Sequence, residues 1–268
     1  MISGKKDLFL MDIADSHAHL DMAEFGPDRE EVVQRAWAGG VKAILCPIDL
    51  TVPESRTRIL RLQQVFSWIS AAAGIHPHQA QDFSTSHLEA IRRLAMAGKI
   101  AAVGEIGIDH HYNYSPPPVQ AEVFRAQLRL AQELELPVVV HSRDAGKEIL
   151  AAIEEEGFSR GGVLHCFTED QETAERIIGL GFLVSFSGIL TYPNAPSLRK
   201  IAAGLPLERI LVETDSPYLV PQPLRGIKKR NEPLFVIETA KILAELKAIT
   251  LEELAASTLR NYRSAFRV

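Results

Sequence analysis

Eight short apolar runs, each followed by a stretch with helical spacing, set the tightest limit on what this chain can fold into. They occupy residues 11–17, 41–48, 68–75, 100–106, 137–141, 162–166, 182–186 and 210–212. All are strand-length and rich in Ala or β-branched residues. Between them apolar residues recur near every 3.6 positions, most clearly over 119–134, where Val119, Val123, Leu128, Ala131 and Leu134 share a face. Ser86-x-x-Glu89 and Thr250-x-x-Glu253 have the form of capping boxes that open helices. Gly39-Gly40, Gly98, Gly157, Gly181 and Gly204 punctuate helix ends. This alternation, with no Ser-, Gly- or Pro-rich linker, specifies one (β/α)8 TIM barrel, and 268 residues suit a single domain over 1–268. A doubly wound sheet would place a glycine-rich phosphate turn after its first strand. Here that position reads Ser16-His17-Ala18-His19-Leu20-Asp21.

The residues that end these runs are chemically selective. Barrel active sites lie at the C-terminal ends of the strands. There this chain has His17 and His19, Asp49, His76 and His78, Glu105, His141, His165, Ser187 and Asp215. If the first strand continues through His19, both imidazoles point to one face. A lone histidine at a strand end more often serves a loop, and an N-cap role is the plain alternative for Asp215. Glu105 lies in Val-Gly-Glu-Ile-Gly, where an unpartnered carboxylate is costly; a metal or an internal arginine would each satisfy it. Taken together, four histidines (His17, His19, His141, His165) and two carboxylates can hold two divalent ions, with Glu105 between them. Such a pair suits hydrolysis, phosphate esters above all.

Bulk properties exclude other classes. The formal net charge is −5, so contact with a polyanion needs a local patch. Arg225, Lys228, Lys229 and Arg230 form the densest positive cluster. Cys46 and Cys166 lie inside apolar runs and suggest no disulfide framework. Residues 1–10 are too short in apolar length for a signal segment, and no run approaches a membrane span; the expected location is the cytoplasm. No obligate protein partner is evident. Tyr112, Tyr114 and Tyr218 follow strands and offer rings for a terminal base.

In Asp15-Ser16-His17-Ala18-His19-Leu20, Gly74-Ile75-His76-Pro77-His78, Gly104-Glu105-Ile106-Gly107-Ile108-Asp109, Val140-His141-Ser142-Arg143, His165-Cys166-Phe167 and Glu213-Thr214-Asp215-Ser216-Pro217, the chain resembles the TatD family of metal-dependent deoxyribonucleases, amidohydrolase-like barrels. Ser185-Phe186-Ser187-Gly188, Arg225-Gly226, Asn231-Glu232-Pro233 and Asn261-Tyr262-Arg263 extend the match over nearly the whole chain. The resemblance implies two ions, one held by His17, His19, Glu105 and Asp215, the other by Glu105, His141 and His165. It implies Asp215 as general base on the attacking water. It also implies hydrolysis of DNA, commonly 3′→5′ from single-stranded ends and without sequence specificity, using Mg²⁺, Mn²⁺ or Zn²⁺. The histidine-rich set favours Zn²⁺ or Mn²⁺ over Mg²⁺. His76, His78, Arg143 and Arg225 are the expected substrate contacts, Arg143 as a phosphate clamp unless a salt bridge to Asp144 occupies it.

Two segments depart from the family pattern. His110-His111 replaces an aromatic or aspartate-tyrosine pair and is expected to touch substrate, while Thr168-Glu169-Asp170 replaces small residues and sets acidic groups against a phosphate. These leave open a two-ion hydrolase of small-molecule esters, lactones or amides, or of aminoacyl-tRNA esters. A barrel kept only as a scaffold would leave the histidines and carboxylates uncompensated.

Overall fold

The computed structural model describes residues 11–268, so the expectation about residues 1–10 lies outside the described residues. Its strands are β1 (Ile13–Asp15), β2 (Val41–Asp49), β3 (Ile69–Gly74), β4 (Ala102–Asp109), β5 (Val138–Arg143), β6 (Gly162–Leu164), β7 (Leu183–Phe186) and β8 (Ile210–Val212). All are parallel and hydrogen-bonded in sequence order. The ring closes where Ser16 N–H donates to Val212 O (3.0 Å), Asp215 N–H to His17 O (2.9 Å) and His19 N–H to Ser216 O (2.8 Å). The helices are α1 (Arg29–Ala38), α2 (Pro53–Val65), α3 (Thr85–Met96), α4 (Pro117–Glu133), α5 (Gly146–Glu155), α6 (Gln171–Gly179), α7 (Pro196–Gly204), α8 (Val236–Lys247) and α9 (Leu251–Phe266). The predicted (β/α)8 barrel is therefore the fold. No described helix is long and apolar enough to cross a membrane. Cys46 and Cys166 are both free thiols.

Strand alternation divides the apolar residues into two shells. Ala14, Ala43, Leu45, Ala72, Val139, Val163, Leu183 and Leu211 fill the barrel, and Leu259, Tyr262 and Phe266 of α9 close its N-terminal end. Ile44, Ile48, Ile106, Ile108, Val138 and Val140 face the helices instead. With the bottom plugged by α9, polar groups gather at the C-terminal mouth. Val139, His141 and Arg143 share the inward face of β5 by simple alternation, while His165, Glu213 and Asp215 follow directly on the ends of β6 and β8.

Two strands reach the site by breaking that alternation. The expected continuation of the first strand through His19 is corrected, since β1 ends at Asp15. Ala14 faces the interior while Ala18, an even number of residues on, packs in the outer shell. The chain has therefore changed parity near Ser16, whose hydroxyl meets Ser185 Oγ (2.8 Å) and Val212 O (3.1 Å) inside the barrel. Asp15 anchors the break, accepting from Thr214 N–H (2.8 Å) and Oγ1 (2.6 Å). A second irregularity lies between Val103 and Ile106 of β4. It turns Glu105, Gly107 and Asp109 inward. Gly107 (φ 149°) allows the close approach of β5, because a Cβ there would stand 1.9 Å from His141 O.

Capping shows one agreement and one correction. Thr250 and Glu253 form the predicted box at α9. The N-cap of α3 is Ser84 rather than Ser86, because His87 Nδ1 accepts the Ser84 N–H (3.2 Å) in the role expected of a glutamate. Helix α4 covers the predicted 119–134 stretch almost fully, opening at Pro117.

Candidate metal centre

Glu105 stands in the middle of the mouth, almost fully buried, with its two oxygens turned to different imidazoles. Oε2 lies 3.2 Å from His17 Nε2 and 3.7 Å from His19 Nε2. Oε1 lies 2.7 Å from His165 Nε2, 3.0 Å from His141 Nδ1 and 3.2 Å from His76 Nε2. Asp215 Oδ1 completes the first group, 3.3 Å from His19 Nε2 and 3.9 Å from His17 Nε2. Asp215 has a left-handed backbone (φ 54°), a conformation aspartate tolerates, directly after the chain leaves β8.

The donor set fits divalent cations. His17 Nε2 and His19 Nε2 face each other at 3.1 Å, and Glu105 Oε2 is buried with no hydrogen-bond partner. Among the described residues, His17, His19 and Glu105 bring ligand atoms within 4.8 Å of one another, as do His17, His165 and Asp215, and Glu105, His141 and His165.

Two residues outside the predicted set orient these histidines. His141 Nε2 donates to Asp109 Oδ2 (3.0 Å) and His165 Nδ1 to Glu213 Oε1 (3.3 Å). Ionised carboxylates only accept, so they fix a proton on the outer nitrogen, and His141 Nδ1 and His165 Nε2, which face Glu105, are the atoms available to a cation. Asp109 also accepts from His78 Nε2 (2.9 Å) and from the backbone N–H groups of His111 (2.8 Å) and Tyr112 (2.9 Å). The even spacing of Glu105 with Asp109 was the available signal, since the two share a face of β4, whereas Glu213 lies beyond the end of β8 and carried none. His76 differs from the ligands. Its Nδ1 accepts the His78 backbone N–H (3.1 Å), so its Nε2 carries the proton and is a donor.

Electrostatics agree with this assignment. Burial alone would raise Glu105, but the imidazoles of His165, His76 and His17 hold it well below the usual carboxylate range. Burial likewise opposes ionisation of Asp215, and His19 outweighs it. Burial lowers His19, but Asp215 and Glu105 bring it up to about 9. His76 is pushed down to about 4, chiefly by burial. His141 and His165 are both raised by their carboxylates against the cost of burial.

The mouth thus brings together His17, His19, His76, His78, Glu105, His141, His165 and Asp215. Arg143 is at the end of β5 on the inward face, and no salt bridge to Asp144 forms. Arg225 lies on the exposed loop after β8, its guanidinium 4.6 Å over the Tyr192 ring. The basic cluster is smaller than it reads, because Arg230 is bound to Asp28 (2.6 Å) and Glu232 (3.2 Å). The acidic departure is structural. Glu169 accepts from Ser142 Oγ (2.7 Å) and Ala145 N–H (3.2 Å), while Asp170 caps α6 through Thr173 N–H (2.8 Å). His110 pairs with Glu148 (2.8 Å), His111 approaches Asp144 (3.7 Å), and Asp49 bonds Thr51. Ser187 Oγ meets Cys166 Sγ (3.2 Å).

A (β/α)8 barrel with this histidine and carboxylate group at its C-terminal mouth defines a metal-dependent hydrolase of the amidohydrolase-like class. The family described as TatD related DNase matches residues 14–267, and the chain belongs to it. It is 40% identical over 255 residues to YabD of Bacillus subtilis, named an uncharacterized metal-dependent hydrolase (95% of this chain, 98% of that one). It is 35% identical over 259 residues to the 3′-5′ ssDNA/RNA exonuclease TatD of Klebsiella pneumoniae (95% and 97%). The crystal structure of YjjV, a TatD homologue from Escherichia coli, superposes with a TM-score of 0.89 at 31% identity, covering 97% of this chain and 99% of that one.

Proposed function

We propose that this chain is a two-ion phosphodiesterase that removes nucleotides from single-stranded DNA, 3′→5′ and without sequence specificity, with the whole site on one domain over 1–268. The observation that carries the reading is the division of Glu105, one oxygen toward His17 and His19, the other toward His141 and His165. A carboxylate shared in that way suits a bridge. The ions would be held by His17, His19, Glu105 and Asp215, and by Glu105, His141 and His165; Zn²⁺ and Mn²⁺ match these donors better than Mg²⁺. When bound, a pair of divalent ions lowers the pKa of water and offsets charge on the phosphate oxygens.

The chain's own groups supply the rest. Asp215, held ionised by His19, accepts the proton of the attacking water. His76 offers its Nε2–H to a phosphate oxygen, and Asp109 keeps His78 and His141 in register beside it. Arg143 on the inward rim and Arg225 on the loop are the cationic contacts for flanking phosphates. The small-molecule ester reading loses its particular support, since Glu169 and Asp170 are engaged in the fold. The test is hydrolysis of 3′-labelled single-stranded DNA by chelator-stripped protein with Mg²⁺, Mn²⁺ or Zn²⁺ restored, alongside esters, lactones and amides. Mononucleotide release that disappears in Asp215→Ala supports the reading; turnover of a small ester with DNA untouched overturns it.

A further inference from the structure

Exposed aromatic rings are concentrated at the mouth. Tyr112, Tyr114 and Tyr218 are 54%, 61% and 48% exposed. Trp37, the other exposed Trp, Tyr or Phe among the described residues, is engaged by Trp68 and by Lys42. Tyr112 and Tyr114 lie parallel, 6° apart in plane with centroids 5.5 Å apart. Both stand nearly perpendicular to the His78 ring, with centroids 5.5 and 4.8 Å away. Tyr218 stands steeply inclined to the His19 ring, with centroids 6.2 Å apart.

The two groups stand across the barrel from each other. Tyr112 and Tyr114 follow β4, Tyr218 follows β8, and the fourth and eighth strands of a closed eight-stranded ring are diametrically opposed. The candidate metal centre lies between them, with His19 adjoining one group and His78, through Asp109 and His141, the other. The β4 side is held in place before any substrate arrives. Tyr112 N–H is fixed by Asp109 Oδ1 (2.9 Å), Asn113 Nδ2 donates to His110 O (2.9 Å), and Ser115 Oγ donates to His78 O (2.9 Å).

We infer that Tyr112 with Tyr114, and Tyr218 opposite, form two base-stacking subsites that take the nucleobases on either side of the scissile phosphate. Resting on the nuclease reading above, this assigns the substrate as a strand with a base on each side of the bond, in preference to a nucleoside monoester or a base-free diester. Stacking is indifferent to base identity, which matches the proposed lack of sequence specificity.

The test uses the full chain with Mn²⁺ restored and single-stranded oligothymidylates. Two of them carry a tetrahydrofuran residue in place of the nucleoside on one or the other side of the first phosphodiester to be cut. Each base-less strand should be cut with kcat/KM roughly 5- to 150-fold below the intact strand. Tyr112→Ala/Tyr114→Ala should erase the penalty for one base-less strand, and Tyr218→Ala that for the other. Tyr112→Phe/Tyr114→Phe should restore it, which separates stacking from loop collapse. Losses from ring removal and base removal that simply multiply would overturn the assignment. So would both variants erasing the same penalty. Methyl p-nitrophenyl phosphate, a diester without a base, separates the two levels. Its turnover by wild type with no penalty for either base-less strand overturns the subsites and keeps the phosphodiesterase reading; no turnover of any diester overturns both.

Discussion

Replacing Asp109 by asparagine tests whether one buried carboxylate sets the proton on His141, the proposed metal ligand it touches. Asp109 Oδ1 accepts the N–H groups of His111 and Tyr112, and Oδ2 accepts from His78 and His141. In Asp109→Asn the carbonyl oxygen can keep both backbone bonds, so the loop holds its course. The amide –NH₂ then faces His141 Nε2, which must become an acceptor. The imidazole proton moves to Nδ1, the atom 3.0 Å from Glu105 that is needed bare for a cation. Loss of such an orienting partner typically weakens metal binding about 10- to 100-fold, or about 1.4–2.7 kcal/mol. Calorimetric titration of the chelator-stripped protein with Zn²⁺ should show the ion at His141 and His165 weakened by that factor. The ion at His17, His19 and Asp215 should change far less, and the melting temperature of the metal-free protein little. Unchanged affinity at both positions would refute the tautomer argument. Equal weakening of both would refute the separation of His141 from the His17 group.

Asp215→Asn should lower kcat about 10²–10⁴-fold while the bound metal, read by atomic emission, is largely retained; loss of metal with loss of rate would make Asp215 a ligand alone. Cation uptake should compete with protons, because the carboxylates around His19, His141 and His165 raise all three in the metal-free protein, His19 to about 9. Affinity should climb as pH rises toward about 9, where His19 gives up its proton, with proton release visible as a buffer-dependent heat; a flat profile would contradict it. Gly107→Ala sets a Cβ 1.9 Å from His141 O at a φ of 149°, and should cost about 2–4 kcal/mol by thermal unfolding, with reduced metal binding at His141.

The barrel was legible because alternation of strand-length and helix-length apolar patterns has few architectures that satisfy it. The centre was legible because histidines and carboxylates closed five separate runs. What escaped the sequence depended on parity and on neighbours. His17 and His19 face inward only because the chain breaks step near Ser16, and Glu105 only because β4 slips between Val103 and Ile106. A sequence pattern presumes a regular strand and carries no sign of either shift. Asp109 and Glu213 read as ordinary acids until the fold sets His141 and His165 against them. Glu169 and Arg230 misled in the opposite sense. Each looks free in the sequence, yet Ser142 and Asp28, far along the chain, engage them.

The place where the barrel closes is also where part of its chemistry is held. His17 and His19 belong to the opening segment, Asp215 to the closing one, and Asp15 reaches Thr214 across 199 positions of sequence. A cation gripped from both sides would be a clasp on a hoop of staves. It would link the two ends of the ring, and its binding free energy would add directly to the free energy of keeping that ring shut. Loading the centre should slow amide exchange at His19, Ser16 and Asp215 more than at the β4–β5 pairing diametrically across. The protein's cation supply would then govern how firmly the first and last strands stay joined.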